Sequence, residues 1–203
     1  MKSFLKYFLV AIIFATLIPF SSCKKGANDP FLSLRSRNSR FEGTWKLSAQ
    51  TYTVTSVSGN THTTNVYSFD GLRVKRTRTT QFGSATPLVD TSSYSYSETI
   101  EVVKDNTFKE TIVQSNLTTV IEGNWAFLGA DKDAGLKKKE AVIMYQTKYT
   151  FGTSVSTSGK TDNPNTLVLD ELSNAKMVVI LDQSNYQDAT HNSTTKGTVT
   201  YVQ

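Results

Sequence analysis

Residues 93–128 read SYSYSETIEVVKDNTFKETIVQSNLTTVIEGNWAFL. Tyr94, Tyr96, Ile100 and Val102 fall on one parity, and Phe108 and Ile112 continue it beyond KDNT. Thr119, Ile121, Gly123, Trp125 and Phe127 give a third alternating face. Alternation of this kind marks half-buried strands, because successive side chains point to opposite faces of a sheet. Keeping the first two apolar sets on one face requires an odd number of loop residues. Three residues around Asn106, a residue type that tolerates a positive φ, satisfy that requirement. The stretch therefore reads as three consecutive antiparallel strands.

The same pattern extends in both directions. In GTWKLSAQ (43–50), Trp45, Leu47 and Ala49 alternate with Lys46, Ser48 and Gln50. The apolar parity then flips at Tyr52 and Val54, which predicts a bulge near Gln50–Thr51. SVSGNTH supplies a turn, a strand runs on to Phe69, and Asp70-Gly71 closes it. LRVKRTRTTQF is polar but β-branched enough for a strand, and TPLVDT reads as a loop. Downstream, GADKDAGLKKKE is a charged connector, AVIMYQTKYTF a strand apolar on both faces at its start, and TSVSTSGKTDNPN a polar loop. TLVL, KMVVILD and GTVTYV complete eight to ten strands with no long helix.

Composition agrees. Among the 203 residues, 22 Ser and 29 Thr make a quarter of the chain, and Thr and Tyr favour strands. One Cys rules out a disulfide scaffold, and two His (His62 and His191) remove most metal and nucleophile chemistries. Sheet edges must be covered, and closure into a barrel removes them. An all-β, antiparallel up-and-down barrel of about eight strands over residues 41–203 satisfies the pattern, and so does a two-sheet sandwich. Periodicity leaves both open.

Ahead of the strands, Lys2 and Lys6 precede an uncharged run of 16 residues, Tyr7 to Ser22, and then Cys23. A helix needs roughly 20 apolar residues to cross a bilayer, so residues 1–22 read as a secretory signal. Small residues followed by Cys23 resemble the bacterial lipobox, with Phe20 where such boxes usually carry Leu. The resemblance implies acylation of the Cys23 thiol, which becomes the new N-terminus. An ordinary signal peptide followed by a chance Cys, or a short anchor, is the plainer alternative. Acylation accounts for an exported chain with one Cys, which can form no internal disulfide. Several acyl chains anchor far more firmly than one. Lys24 and Lys25, in place of the Asp associated with inner-membrane retention, point to the outer membrane. Residues 23–40, with Gly, Pro, Asn and Ser and no sustained period, are expected to be a lipidated Cys and a flexible tether. Without residues 1–22 the net charge falls from +5 to +3 at pH 7, too small and dispersed for a nucleic-acid partner.

Gly43-Thr44-Trp45 resembles the G-x-W that opens the first barrel strand of lipocalins. There the Gly lets the chain turn in closely and the Trp plugs the closed end of the barrel. Together with the lipobox, NDPFLSLRSRNSRFEGTWKL, GNWAF (123–127) and LDELSNAKMVV, the chain is similar to lipocalin-like envelope lipoproteins of Gram-negative bacteria. It departs from true lipocalins in lacking a Thr-Asp-Tyr motif and an Arg on the last strand, where Lys196 is the nearest basic residue. The resemblance implies a non-enzymatic binding module, without cofactor, for a small apolar ligand inside the barrel. The rival expectation is a packed barrel acting through its surface as an accessory to an envelope protein partner.

Tyr94, Tyr96, Ile100, Trp125, Phe127 and Tyr145 are expected to line the interior, as core or as a pocket with hydroxyl handles. Glu98 and Glu110 share that parity and could face inward, for acid–base work or for a cationic ligand group, or else lie in water near a barrel mouth. Asp131, Asp133 and Gly135 spell half a calcium loop, but the later ligands are missing and three lysines follow, so no metal site is expected. Arg73, Lys75, Arg76 and Arg78 read as a solvated edge strand kept soluble by charge, or as a contact for an anionic headgroup or polysaccharide.

Overall fold

In the computed structural model, the residues described are 28–29, 35–133, 135–137, 140–158, 164–188 and 190–203. The expected signal segment and Cys23 lie outside them. One short helix, α1 (Arg37–Phe41), is followed by eleven strands: β1 (Gly43–Ser58), β2 (Thr61–Phe69), β3 (Arg73–Phe82), β4 (Leu88–Val102), β5 (Thr107–Gln114), β6 (Leu117–Phe127), β7 (Ala141–Phe151), β8 (Ser154–Thr157), β9 (Pro164–Leu172), β10 (Lys176–Asp188) and β11 (His191–Val202). All pairings are antiparallel and between sequence neighbours, except that β7 also skips β8 to reach β9, β1 also pairs with β4, and β1 closes the ring on β11. The result is a closed up-and-down barrel of ten strands, with β8 paired outside on the upper part of β7. A sandwich is excluded, and the strand count exceeds the expected eight by two.

The two additional strands have a geometric origin. Residues 43–46 of β1 pair directly with residues 99–102 of β4, whereas residues 51–58 of β1 pair with β2. The β2–β3 hairpin is therefore inserted only into the upper part of the wall. At the level of Trp45 the ring holds eight strands. The apolar core occupies this narrow end: Phe41, Trp45, Leu47, Ile100, Val102, Phe108, Trp125, Val142, Met144, Leu172, Met177 and Tyr201 are all buried there. Burying each such aliphatic or aromatic side chain stabilises the fold by about 1.5–3 kcal/mol. Two buried indoles have satisfied N–H groups, since Trp45 Nε1 donates to the Phe41 carbonyl (2.7 Å) and Trp125 Nε1 to the Val103 carbonyl (3.1 Å).

The hairpin expected at Asn106 has the inferred form. Val103 and Thr107 close a loop of Lys104, Asp105 and Asn106, with Asn106 at φ 67°. Elsewhere the structure departs from the sequence reading. The bulge of β1 lies between Leu47 and Ala49, two residues earlier than expected, so Ala49 is exposed and Gln50 turns inward, 8% exposed. TPLVDT is no loop, because β4 begins at Leu88. TSVST forms β8. The basic strand β3 is not an edge: it is paired on both sides, by β2 and β4.

The expected flexible tether is the largest departure. Ser36 caps α1 by accepting a bond from the Ser39 amide (3.1 Å), and Phe41, the last residue of α1, plugs the base, edge-on to Trp125 at 5.0 Å. Upstream, Asn28 bonds the Asp170 carbonyl (3.1 Å) through its amide and the Asp170 carboxylate (2.7 Å) through its side chain. Asp29 accepts from the Leu172 amide (2.8 Å) and forms an ion pair with Arg37, with Arg40 Nη2 3.8 Å away. Asp29 and Arg40 are 4% and 1% exposed. Residues 28–29 and 35–40 are thus part of the folded unit. Composition read them as linker because the charges that neutralise one another are far from the strand pattern.

Candidate functional site: a tyrosine-lined cup

Above the packed base, the inward face changes character. On β1, after its bulge, Gln50 and Tyr52 follow Trp45 and Leu47 inward. Tyr52 faces Tyr67 across the β1–β2 pair, and the two rings stack at 4.6 Å. Tyr94 and Tyr96 of β4 meet edge to face at 6.4 Å, and Phe69 packs on Tyr96 at 6.3 Å. These side chains are half-buried, whereas those of the base are almost wholly enclosed. The upper interior is a cup of aromatic faces carrying hydroxyl groups.

At its floor lies a carboxylate pair. Glu98 pairs across with Ile112 and Glu110 with Ile100, so the two are diagonal neighbours on one face, as their shared parity predicts. The Tyr96 hydroxyl donates to Glu98 Oε2 (2.8 Å) and the Tyr201 hydroxyl to Glu98 Oε1 (2.5 Å). Two phenol donors thus fix the position of the Glu98 carboxyl group. Burial first, and the neighbouring Glu98 charge second, push Glu110 up to about 7. The phenols respond in kind. Burial and nearby phenols and carboxylates raise Tyr52 to about 12, and burial beside Glu98 pushes Tyr96 and Tyr201 well above the ordinary phenol range. Near neutral pH the floor therefore offers the Glu98 carboxyl held by two phenols, a second carboxyl, Glu110, close to its midpoint, and phenols that remain protonated donors.

Of the six lining residues expected, Tyr94 and Tyr96 belong to the cup. Ile100 and Trp125 lie in the packed base, and Phe127 packs on Phe41 (5.8 Å) beneath the Arg37 guanidinium (5.9 Å). Tyr145 is placed otherwise: across the β6–β7 pair it faces Asn124, while Trp125 faces Met144, so Tyr145 is on the outer surface. Its strand is apolar on both faces at its start, as expected, and for that reason parity does not assign Tyr145 to the right side. Tyr52, Tyr67 and Tyr201 were missed. The signal for Tyr52 was the parity flip after Leu47, that for Tyr67 its alternation with Phe69, and Tyr201 had only its alternation with Val199 to betray it.

The other candidates are dispersed. Gly43, at φ 136°, packs so closely that a Cβ would lie 2.5 Å from the Gln203 side chain, and Trp45 is 0% exposed in the base. Arg76 approaches Asp90 at 3.8 Å, and Arg73 bonds Ser93 twice at 3.0 Å. Asp131 accepts from the Asp133 amide (3.0 Å) in a local turn. His62 is exposed on β2. His191 lies at the strand tips, 3.2 Å from Asp188, beside a depression of about 220 Å³ lined by Val57, Asn185, Asn192 and Ser193. Bonds from Thr190 draw Asp188 down to about 2. Comparison of the chain with models of known protein families and with curated protein sequences finds no match.

Proposed function

We propose that this chain is a lipid-anchored, non-enzymatic envelope protein whose lipocalin-like barrel holds a small, largely apolar ligand in the tyrosine-lined cup. The observation that carries the reading is the division of the interior. The lower ring is filled by its own buried side chains, and the upper ring leaves aromatic faces and two carboxyl groups half-exposed. Ligand sites are typically apolar surfaces with a few convergent polar groups. Tyr52, Tyr67, Tyr94 and Tyr96 supply the faces, and Glu98 with Glu110 the polar end, which suits a ligand bearing a hydrogen-bond donor or a cationic group. The exposed Phe82, Leu88, Leu117 and Phe151 put apolar surface on the rim of the mouth. The N-terminal signal and Cys23 supply the anchor, and the outer membrane is its proposed location.

A second reading has an observation of its own. That same apolar rim, with Val89 at 67% and Tyr186 at 71% exposure, would also serve a protein partner in an envelope complex. The two readings separate on what the purified protein carries. Organic extraction of protein prepared without strong detergent, followed by mass analysis, should recover one compound in stoichiometric amount. An extract with nothing enriched over that of a Tyr96→Ala variant contradicts the ligand reading and favours the partner.

A further inference from the structure

The chain N-terminal to the barrel is fastened at its base. Asn28 and Asp29 are bonded to Asp170 and Leu172, where β9 ends beside the packed floor. Only residues 24–27 separate this fastening from Cys23. Five peptide steps reach at most about 17–18 Å when fully extended, and about 12 Å on average as flexible chain. A free tether of the whole 24–40 segment would average about 20–25 Å and would leave the domain free to tumble.

From the short reach of this fastened segment, we infer that the closed base of the barrel lies against the lipid headgroups of the leaflet that holds the anchor, with the mouth turned away from the membrane. The inference rests on the proposed acylation of Cys23. It adds an orientation: the cup opens toward the aqueous side, and its ligand enters without passing the lipid. It also assigns the Asp29 fastening a role in setting the distance between domain and membrane.

Trp45 and Trp125 are the two tryptophans of the chain and both lie in the base, so they report the orientation directly. The full acylated chain would be reconstituted in vesicles of equal phosphatidylcholine and phosphatidylglycerol with dansyl-labelled headgroups. Its energy transfer would be compared with that of a variant carrying about 20 Gly/Ser residues inserted between residues 27 and 28, whose mean reach grows to about 25–30 Å. The insertion leaves the fastening and the barrel intact. Severalfold stronger transfer in the unaltered chain is expected. Equal transfer in two acylated, vesicle-floating proteins overturns the orientation and leaves the anchor standing. A chain that neither floats nor carries acyl mass on Cys23 overturns the anchor, and the orientation with it.

Discussion

Glu98 and Glu110 have the same side chain in different surroundings, and the difference comes from their neighbours. Glu98 is held by two phenol donors, while Glu110 is raised to about 7 by burial and by the Glu98 charge. The sign of the consequence follows from linkage. The folded state keeps the Glu110 proton to a higher pH than the unfolded chain, whose ordinary value is 4.5. Stability associated with this group is thus complete below about 4.5, is lost as pH rises from there to about 7, and is level above that. Glu110→Gln should remove the loss: the variant should match the parent near pH 4.5 and exceed it at pH 8 by on the order of 1–3 kcal/mol. Urea unfolding across that range measures it, and parallel profiles for both proteins would contradict the assignment. Both glutamates were legible in the sequence because they share parity with Tyr96 and Ile100. Their different environments were not, since Tyr201 lies more than a hundred residues away in the chain and no local pattern joins it to Glu98.

At the scale of the strand, the β4–β5 hairpin was readable down to its turn, because period-two patterning and a residue suited to a positive φ agree there. β1 was readable only in part. Its bulge lies at Ser48, and the sequence misplaces it because the residue that turns inward, Gln50, is polar and so invisible to a hydropathy pattern. The pairing of β1 with β4 brings together residues more than fifty apart, and only the unusual lengths of the two strands, 16 and 15 residues, hint at it. Close strand approach also explains Gly197. At φ 154° it lies under Tyr52, and a Cβ there would overlap the Thr51 carbonyl oxygen and press on Tyr52. Gly197→Ala should therefore displace β1 from β11 at the seam that closes the barrel. A loss of about 1–3 kcal/mol in thermal or urea unfolding is expected, together with altered Tyr52–Tyr67 stacking. Gly152→Ala, at a turn with open space around it, serves as the control, costing only the strain of its positive φ.

For the whole molecule, the decisive feature is that one barrel has two halves with different tasks. Eight strands close tightly around an apolar plug at the base, and a hairpin inserted between β1 and β4 widens the wall above it. The N-terminal segment is part of this architecture, fastened by a carboxylate serving two buried guanidiniums. Removing one partner of such a buried set leaves uncompensated charge behind. Asp29→Asn should accordingly cost on the order of 3 kcal/mol, read as a lowered midpoint of thermal unfolding, and should render residues 28–40 susceptible to protease. An unchanged midpoint would mean that the fastening contributes nothing. The central claim, that the cup holds a ligand, is tested most directly by native mass spectrometry of the exported chain with Cys23→Ser, purified without strong detergent. The account predicts a reproducible adduct that disappears on denaturation and is lost in Tyr96→Ala. A bare polypeptide mass that stays bare after exposure to an envelope lipid extract would contradict it.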